Sequence, residues 1–384
     1  MKGLPPFAAA LGLLVSSCSN AELGTDIVHH TVEVNDIHLL PTSSAFVDVR
    51  DVFLADGSLW VLDGAPPFVA RVALGDGEAH QFGAEGEGPG ELLDPWAIQP
   101  ALGPDTAGVL VWDLGSGRVS EFDRSGRFLA SATLDARGRV RARSDIREVS
   151  YADPFRVRND GSTFVAGQFS TRIERTADMA GGSLSRSNRL LEPGAELAAF
   201  SDHLLDEAQD FREWSPVPFW DACDGLIVLW SPKSREVLWI DPSGEVQERV
   251  PVELPVAPVT QEDIQTYLRW MGRLELGPGY EASGVDYPRL AQGYRDRFAG
   301  QRPVATDLRC ESRDAAWIRT FDTATDPLGR GTDWLRIASD TIIERFRFPA
   351  DFSPAIFTAQ AIYGLLENSE GHQALARWNL GLAE

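Results

Sequence analysis

Apolar residues along the chain come in short alternating or continuous runs broken by Gly, Asp, Asn and Pro. That pattern predicts many short strands joined by turns, with little helix. The strands repeat. One unit reads Phe46–Val49, an Asp56-Gly57 turn, Leu59–Asp63, Phe68–Val72, a glycine-rich turn at 75–77, and Ala79–Phe82. A second reads Pro95–Ile98, Gly108–Asp113, Arg118–Asp123, a Ser125-Gly126 turn and Phe128–Ser131. Residues 218–250 copy the second closely, with Asp224–Trp230, Val237–Asp241 and a Pro242-Ser243-Gly244 turn. More divergent units start near Pro154, Pro303 and Pro354. A proline opening a strand costs no ladder hydrogen bond, so these prolines mark unit starts.

One four-stranded unit cannot bury both faces of its own sheet, so such units must close on one another. The expected fold is all-β, a six-bladed β-propeller of four-stranded blades. Residues 27–40 precede the first full unit and alternate. They are expected to supply an outer strand to the last blade and so close the ring. Tryptophans 60, 112, 230, 239 and 317 fall on strands and are expected to pack between blades.

Helical spacing appears in one place, an insertion at about 258–300 between blades 4 and 5. Thr260 and Asp263 resemble a capping box, and Ile264, Tyr267, Leu268, Met271 and Leu274 share one helical face. After Gly277-Pro278-Gly279, residues Tyr287, Leu290, Tyr294 and Phe298 repeat the spacing. A helical hairpin is expected, either covering exposed edges or acting as a lid.

The amino terminus bears on compartment. Lys2 and the apolar run Phe7–Val15 have the length of a signal peptide, too short to span a bilayer. Val15-Ser16-Ser17-Cys18 resembles the lipobox of bacterial lipoproteins. The resemblance implies cleavage before Cys18 and acyl chains on it, with Ser19 at the next position leaning towards the outer membrane. Expected domains are therefore a signal peptide at 1–17, a lipidated linker at 18–26 and the propeller at 27–384. The protein would be exported and membrane-anchored, facing the periplasm or the cell surface. A net charge of −22 argues against nucleic acid and against direct docking on anionic lipid.

The stretch from Phe82 to Leu92, Phe-Gly-Ala-Glu-Gly-Glu-Gly-Pro-Gly-Glu-Leu, followed by Pro95, resembles a segment of bacterial six-bladed propeller lipoproteins related to the NHL-repeat group. This resemblance implies fold and envelope location. The group has no single activity, so it implies no function.

Candidate chemistry is sparse. Segments 83–94, 203–217 and 255–303 run from outer to inner strands and are expected to crowd one face of the ring. The glycine-rich loop is not a P-loop, because no Gly-Lys-Ser/Thr follows, and Glu85, Glu87 and Glu91 would repel phosphate. The six histidines show no metal-ligand spacing, and no Gly-x-Ser-x-Gly elbow occurs. Asp94 and Asp153 are weak candidates for a calcium-type site; otherwise no cofactor is expected. Trp96, Trp214, Trp220 and Trp270, with Arg156 and Arg302, are the expected ligand-binding set on the channel face, since tryptophan and arginine carry most binding energy. Arg212 and Arg269 lie beside them in sequence. Cys223 and Cys310 remain after lipidation. An oxidising compartment favours a bridge between them, but their placement on neighbouring blades argues for too wide a separation, so bridged and reduced states both stand.

Three readings follow. One is a monomeric binding or scaffold module for a peptide, protein or saccharide, held at the membrane through Cys18. Another is a divalent-metal-dependent hydrolase or lyase. The third is one module of an envelope assembly with no small ligand, which an exposed apolar patch on the helical insertion would mark. The binding module, and not an enzyme, is the favoured expectation.

Overall fold

The structure, a computed structural model, describes residues 27–40, 46–75, 77–101, 108–133, 157–159, 164–168, 183–187, 193–199, 214, 216–223, 225–276, 284–324, 329–338 and 341–381. The strands form a β-propeller. The first sheet holds Val49–Ala55, Ser58–Asp63, Val69–Ala73 and Ala79–Phe82. The second holds Pro95–Pro100, Gly108–Asp113, Arg118–Asp123 and Phe128–Thr133. The third holds Val157–Asn159, Phe164–Gln168, Ser183–Ser187 and Pro193–Ala199. The fourth holds Phe219–Cys223, Leu226–Ser231, Glu236–Ile240 and Val246–Pro251. The fifth holds Ala305–Ser312, Ala315–Phe321, Arg330–Ala338 and Thr341–Arg347, and the sixth holds Phe352–Phe357, Ala361–Glu367 and Gln373–Asn379. The first strand of each sheet touches the first strand of the next, and Phe352–Phe357 returns to Val49–Ala55, so these strands line the axis.

The amino-terminal segment closes the ring in two places. Ile37–Leu39 pairs antiparallel with Gln373–Asn379 and completes the sixth sheet at four strands. Val28–Thr31 pairs parallel with Thr341–Arg347 and makes the fifth sheet five-stranded. Five sheets therefore have four strands and one has five, which departs from the uniform four-stranded expectation. The extra strand covers what would otherwise be an open outer edge, and open edges invite unwanted pairing.

Wedges between neighbouring sheets are filled by side chains from all four strands. Trp230, Trp239 and Val250 of the fourth sheet meet Leu308, Ile318 and Leu335 of the fifth. Trp317, Trp334 and Phe346 of the fifth meet Phe352, Phe357 and Ile362 of the sixth. All five tryptophans expected between blades are buried. Turns repeat too. Asp123 accepts hydrogen bonds from Ser125 N (2.9 Å), Ser125 Oγ (2.6 Å) and Arg127 N (3.0 Å). Asp241 does the same with Ser243 N (2.7 Å), Ser243 Oγ (2.6 Å) and Glu245 N (3.1 Å). These Asp-x-Ser-Gly turns join third to fourth strands in the second and fourth sheets, with the glycines at φ 75° and 89°.

Helix α1 (Gln261–Leu276) and helix α2 (Tyr287–Tyr294) lie between the fourth and fifth sheets in sequence and pack on each other. Asp263 N donates to Thr260 Oγ1 at 3.2 Å, and Thr260 N donates to Asp263 Oδ2 at 2.8 Å, which is the reciprocal cap. Ile264, Tyr267, Phe298 and Ala291 form an apolar core with Trp214.

A cavity at the propeller axis

The first strands line a cavity of about 500 Å³ at the axis. Among the described side chains its walls come from the first strands of the first, second, fourth, fifth and sixth sheets, through Phe53, Gln99, Asp221, Arg309, Glu311 and Phe357 among others. These residues sit near the carboxyl ends of their strands, where first strands turn into second strands. The loops singled out in the sequence enter those strands at the opposite end. The cavity and the expected tryptophan-and-arginine face are therefore at opposite ends of the ring.

The first strands around the axis belong to separate sheets, so each leaves an inner edge of backbone N–H groups without a ladder partner. Carboxylates take up the deficit. Asp221 Oδ2 accepts from Cys310 N at 3.0 Å, linking the fourth and fifth sheets. Asp51 Oδ2 accepts from Ile98 N at 3.0 Å, linking the first and second. Arg309 pairs with Asp307 at 2.9 Å. Phe53, Ile356 and Phe357 line the cavity together with Asp221 and Arg309.

Glu311 starts a chain of polar contacts that crosses the whole fifth sheet. Its carboxylate accepts from Trp317 Nε1 (2.6 Å) and from Arg336 Nε (2.7 Å) and Nη2 (2.6 Å). Arg336 Nη1 then reaches Glu344 at 3.2 Å, and Glu344 lies 3.4 Å from His30 Nε2 on the added parallel strand. The Glu311 hydrogen bond raises the Arg336 pKa despite its burial. A buried carboxylate of this kind requires such pairing.

Cys223 and Cys310 also line the cavity and are bridged, with Cα atoms 5.9 Å apart. The blade-spacing argument against a bridge fails because the first strands converge on the axis: the separation falls inside the disulfide range.

At the opposite end, three first strands carry a register shift at their second residue, leaving Arg50, Trp96 and Thr306 as bulged residues. Bulges re-aim side chains. Trp96 is only partly buried there, whereas Trp220, in the unshifted strand of the fourth sheet, pairs with Leu229 and is 4% exposed. Trp214 is 0% exposed; Tyr267, Phe298 and Phe321 surround it edge-on at 5.6, 4.9 and 5.4 Å. Trp270 leans on Tyr267 in the same core. Arg302 grips the buried Asp263 through Nε (2.9 Å) and Nη2 (2.7 Å), and Thr323 Oγ1 adds 2.6 Å. Burial opposes the charged form of Asp263, but hydrogen bonds from Thr323, Thr260 and Arg302 hold its pKa below the ordinary range. These groups latch α1 to the fifth sheet. The structure thus distributes Trp96, Trp214, Trp220, Trp270 and Arg302 among packing and latch roles and does not gather them around one opening.

Asp94 accepts from Arg50 Nη1 at 2.5 Å, and Arg50 also reaches Pro95 O at 2.8 Å. Arg50 escaped the sequence reading; the only signal for it was its place at the start of a first strand. Asp113, fully buried, accepts from the backbone N–H groups of Leu93, Asp94 and Gly115 at 2.9, 2.8 and 3.0 Å and so fixes the glycine-rich loop's exit. Asp63 repeats that clamp on Val47 and Asp48 in the first sheet. Among the described residues no three His, Cys, Asp or Glu side chains are grouped to hold a metal ion. Cys18, Asp153 and Arg156 lie outside the described residues.

No family model matches the sequence, and no curated protein matches it. Solved structures do. A member of the DUF4221 family from Bacteroides vulgatus aligns with TM-score 0.54 and 10% identity, covering 88% of this chain and 94% of its own. A Bacteroides fragilis protein named as exported aligns with TM-score 0.46 and 9% identity, over 91% of this chain and 98% of its own. Virginiamycin B lyase from Staphylococcus aureus aligns with TM-score 0.44 and 9% identity, over 89% and 97%. At such identities, and with one TM-score above 0.5, what this chain shares with its neighbours is the β-propeller fold.

Proposed function

We propose that this chain is a lipid-anchored envelope propeller of six sheets that binds a small amphipathic ligand, a peptide or saccharide segment, in its axial cavity. The observation that carries this reading is the cavity of about 500 Å³, whose lining combines Phe53, Ile356 and Phe357 with Gln99, Asp221 and Arg309. Apolar walls with a few placed polar groups are the usual make-up of a ligand site, and the volume suits a few residues or sugar rings. Ring closure also makes the site rigid, which lowers the ordering cost of binding. The tryptophan-and-arginine face is the weaker candidate, because Trp214 and Trp220 are buried and Arg302 is held by Asp263. Export and anchoring rest on the signal-like run and on Cys18. Among the described residues no helix is long and apolar enough to cross a membrane.

The metal-dependent alternative draws less support, since the Asp94 carboxylate is engaged by Arg50. EDTA treatment is expected to leave the melting temperature unchanged, and a drop on chelation would revive that alternative.

Thermal-shift screening with a tetrapeptide pool and with chito-oligosaccharides tests the cavity. A hit should lose its shift in Ile356→Ala and in Arg309→Met and keep it in Trp96→Ala. A hit that depends on Trp96 and ignores both cavity variants would move the site to the other end of the ring.

A further inference from the structure

Eight large hydrophobic side chains stand exposed among the described residues, and four of them, Val28, Val34, Leu39 and Val47, fall between positions 28 and 47. Their exposures are 52, 46, 59 and 62%. Single exposed aliphatics are ordinary; this local concentration is not.

Strand register puts two of them, and the turn between the strands a third, on one opening. His30 pairs with Phe346 and stacks on its ring at 4.4 Å, so this side of Val28–Thr31 faces the wedge between the fifth and sixth sheets. Val28, two positions earlier on the strand, shares that side. Ile37 pairs with Trp378 and is buried in the same wedge, and Leu39 shares its side. Val34 lies in the short 3-10 turn Val34–Asp36 that crosses from one sheet to the other. The segment therefore plugs the outer mouth of the wedge with Val32 and Ile37 and leaves Val28, Val34 and Leu39 exposed around that mouth.

We infer that this outer rim is the face the protein lays against a zwitterionic phospholipid surface. The inference rests on the lipid-anchor reading. Cys18 lies nine positions before Ile27. At roughly 3.3–3.6 Å per residue the tether reaches at most about 30 Å, so the rim is the part of the body the anchor holds nearest the bilayer. Aliphatic side chains confined there add apolar contact to a tether that already supplies proximity. The net charge of −22, with Glu33 and Asp36 in the rim itself, disfavours anionic headgroups.

The test uses the mature protein extracted from membranes, whose intact mass first reports whether Cys18 carries acyl chains. The protein is reconstituted into phosphatidylcholine vesicles containing nitroxide-labelled lipid, with an environment-sensitive dye on Leu39→Cys or on Leu129→Cys. Leu129 is 46% exposed on the outer strand of the second sheet and serves as the reference. Quenching several-fold stronger at position 39 is expected, and Val28→Asp with Val34→Asp should bring it down to the level at position 129. Acylated protein whose two dyes quench alike overturns the face alone. A mass without acyl chains ends the anchor reading and this inference with it.

Discussion

Replacing both Cys223 and Cys310 by serine should lower the melting temperature by about 6 °C. The bridge joins residues 87 positions apart and closes a loop that holds the rest of the fourth sheet and both helices. Opening a loop of that length returns ~4.6 kcal/mol of chain entropy to the unfolded state at 25 °C on the loop-entropy relation, while measured bridges span ~2–5 kcal/mol. At ~2.1 cal/mol/K per residue, unfolding the roughly 360 residues of the propeller at 27–384 carries an entropy of ~0.75 kcal/mol/K. The quotient is a shift of about 6 °C at full effect and about 3 °C at the lower measured bound. Cys310 is 8% exposed, so a new hydroxyl there adds a small desolvation cost. An alanine pair isolates the loop effect from it. The assay is calorimetric melting of the oxidised protein, the serine pair and the alanine pair, beside thiol titration of the unfolded, unreduced chain. Two free thiols in that titration, or melting of both variants within a degree of the parent, would refute the reasoning.

Three further outcomes are expected. Asp263→Asn should cost about 3 kcal/mol, the low edge for severing a buried pair, because Arg302 is 31% exposed; urea midpoints at constant slope measure it, and an unchanged midpoint would mean the latch adds nothing. Trp220→Ala should cost ~3–5 kcal/mol as a core deletion, whereas Trp96→Ala, at a partly exposed bulge, should cost about 1 kcal/mol; equal costs would contradict the bulge argument. Asp123 is held at about 2, foremost by the Ser125 hydroxyl, and Asp241, Asp263 and Asp333 are also held low. Groups with depressed folded pKa values stabilise fully above the unfolded value near ~4 and lose that contribution as pH falls. Melting temperature should therefore be flat above about pH 5 and fall steadily between about pH 4 and pH 2, where a rise on acidification would be inconsistent with these pairings.

Much of the fold was legible because strand and turn signals are local. Alternation marked the units around Leu59–Asp63, Gly108–Asp113 and Leu226–Ser231, and the Asp-x-Ser-Gly turns fell where expected. Thr260 and Asp263 announced the start of α1, since a cap needs residues only three apart. The first strand of the fifth sheet, Ala305–Ser312, was blurred in the sequence by the preceding insertion, although Pro303 marked its approach. For the candidate site less was readable. Trp214, Trp220 and Arg302 have the right chemistry for binding, but whether a tryptophan faces solvent or a core depends on what packs over it.

By itself the sequence determined the strand repeat, the turn positions, the need for ring closure and an amino-terminal strand to complete the sixth sheet. All of these follow from hydrophobic periodicity and backbone preference within a few residues. Only the tertiary structure decided which end of the ring holds a cavity, that Cys223 and Cys310 meet, and that Val28–Thr31 adds a fifth strand in parallel. Those outcomes depend on residues brought together from far along the chain, as where Val49 N donates to Gln373 Oε1 across 324 positions, and no local pattern encodes the radius at which the first strands converge.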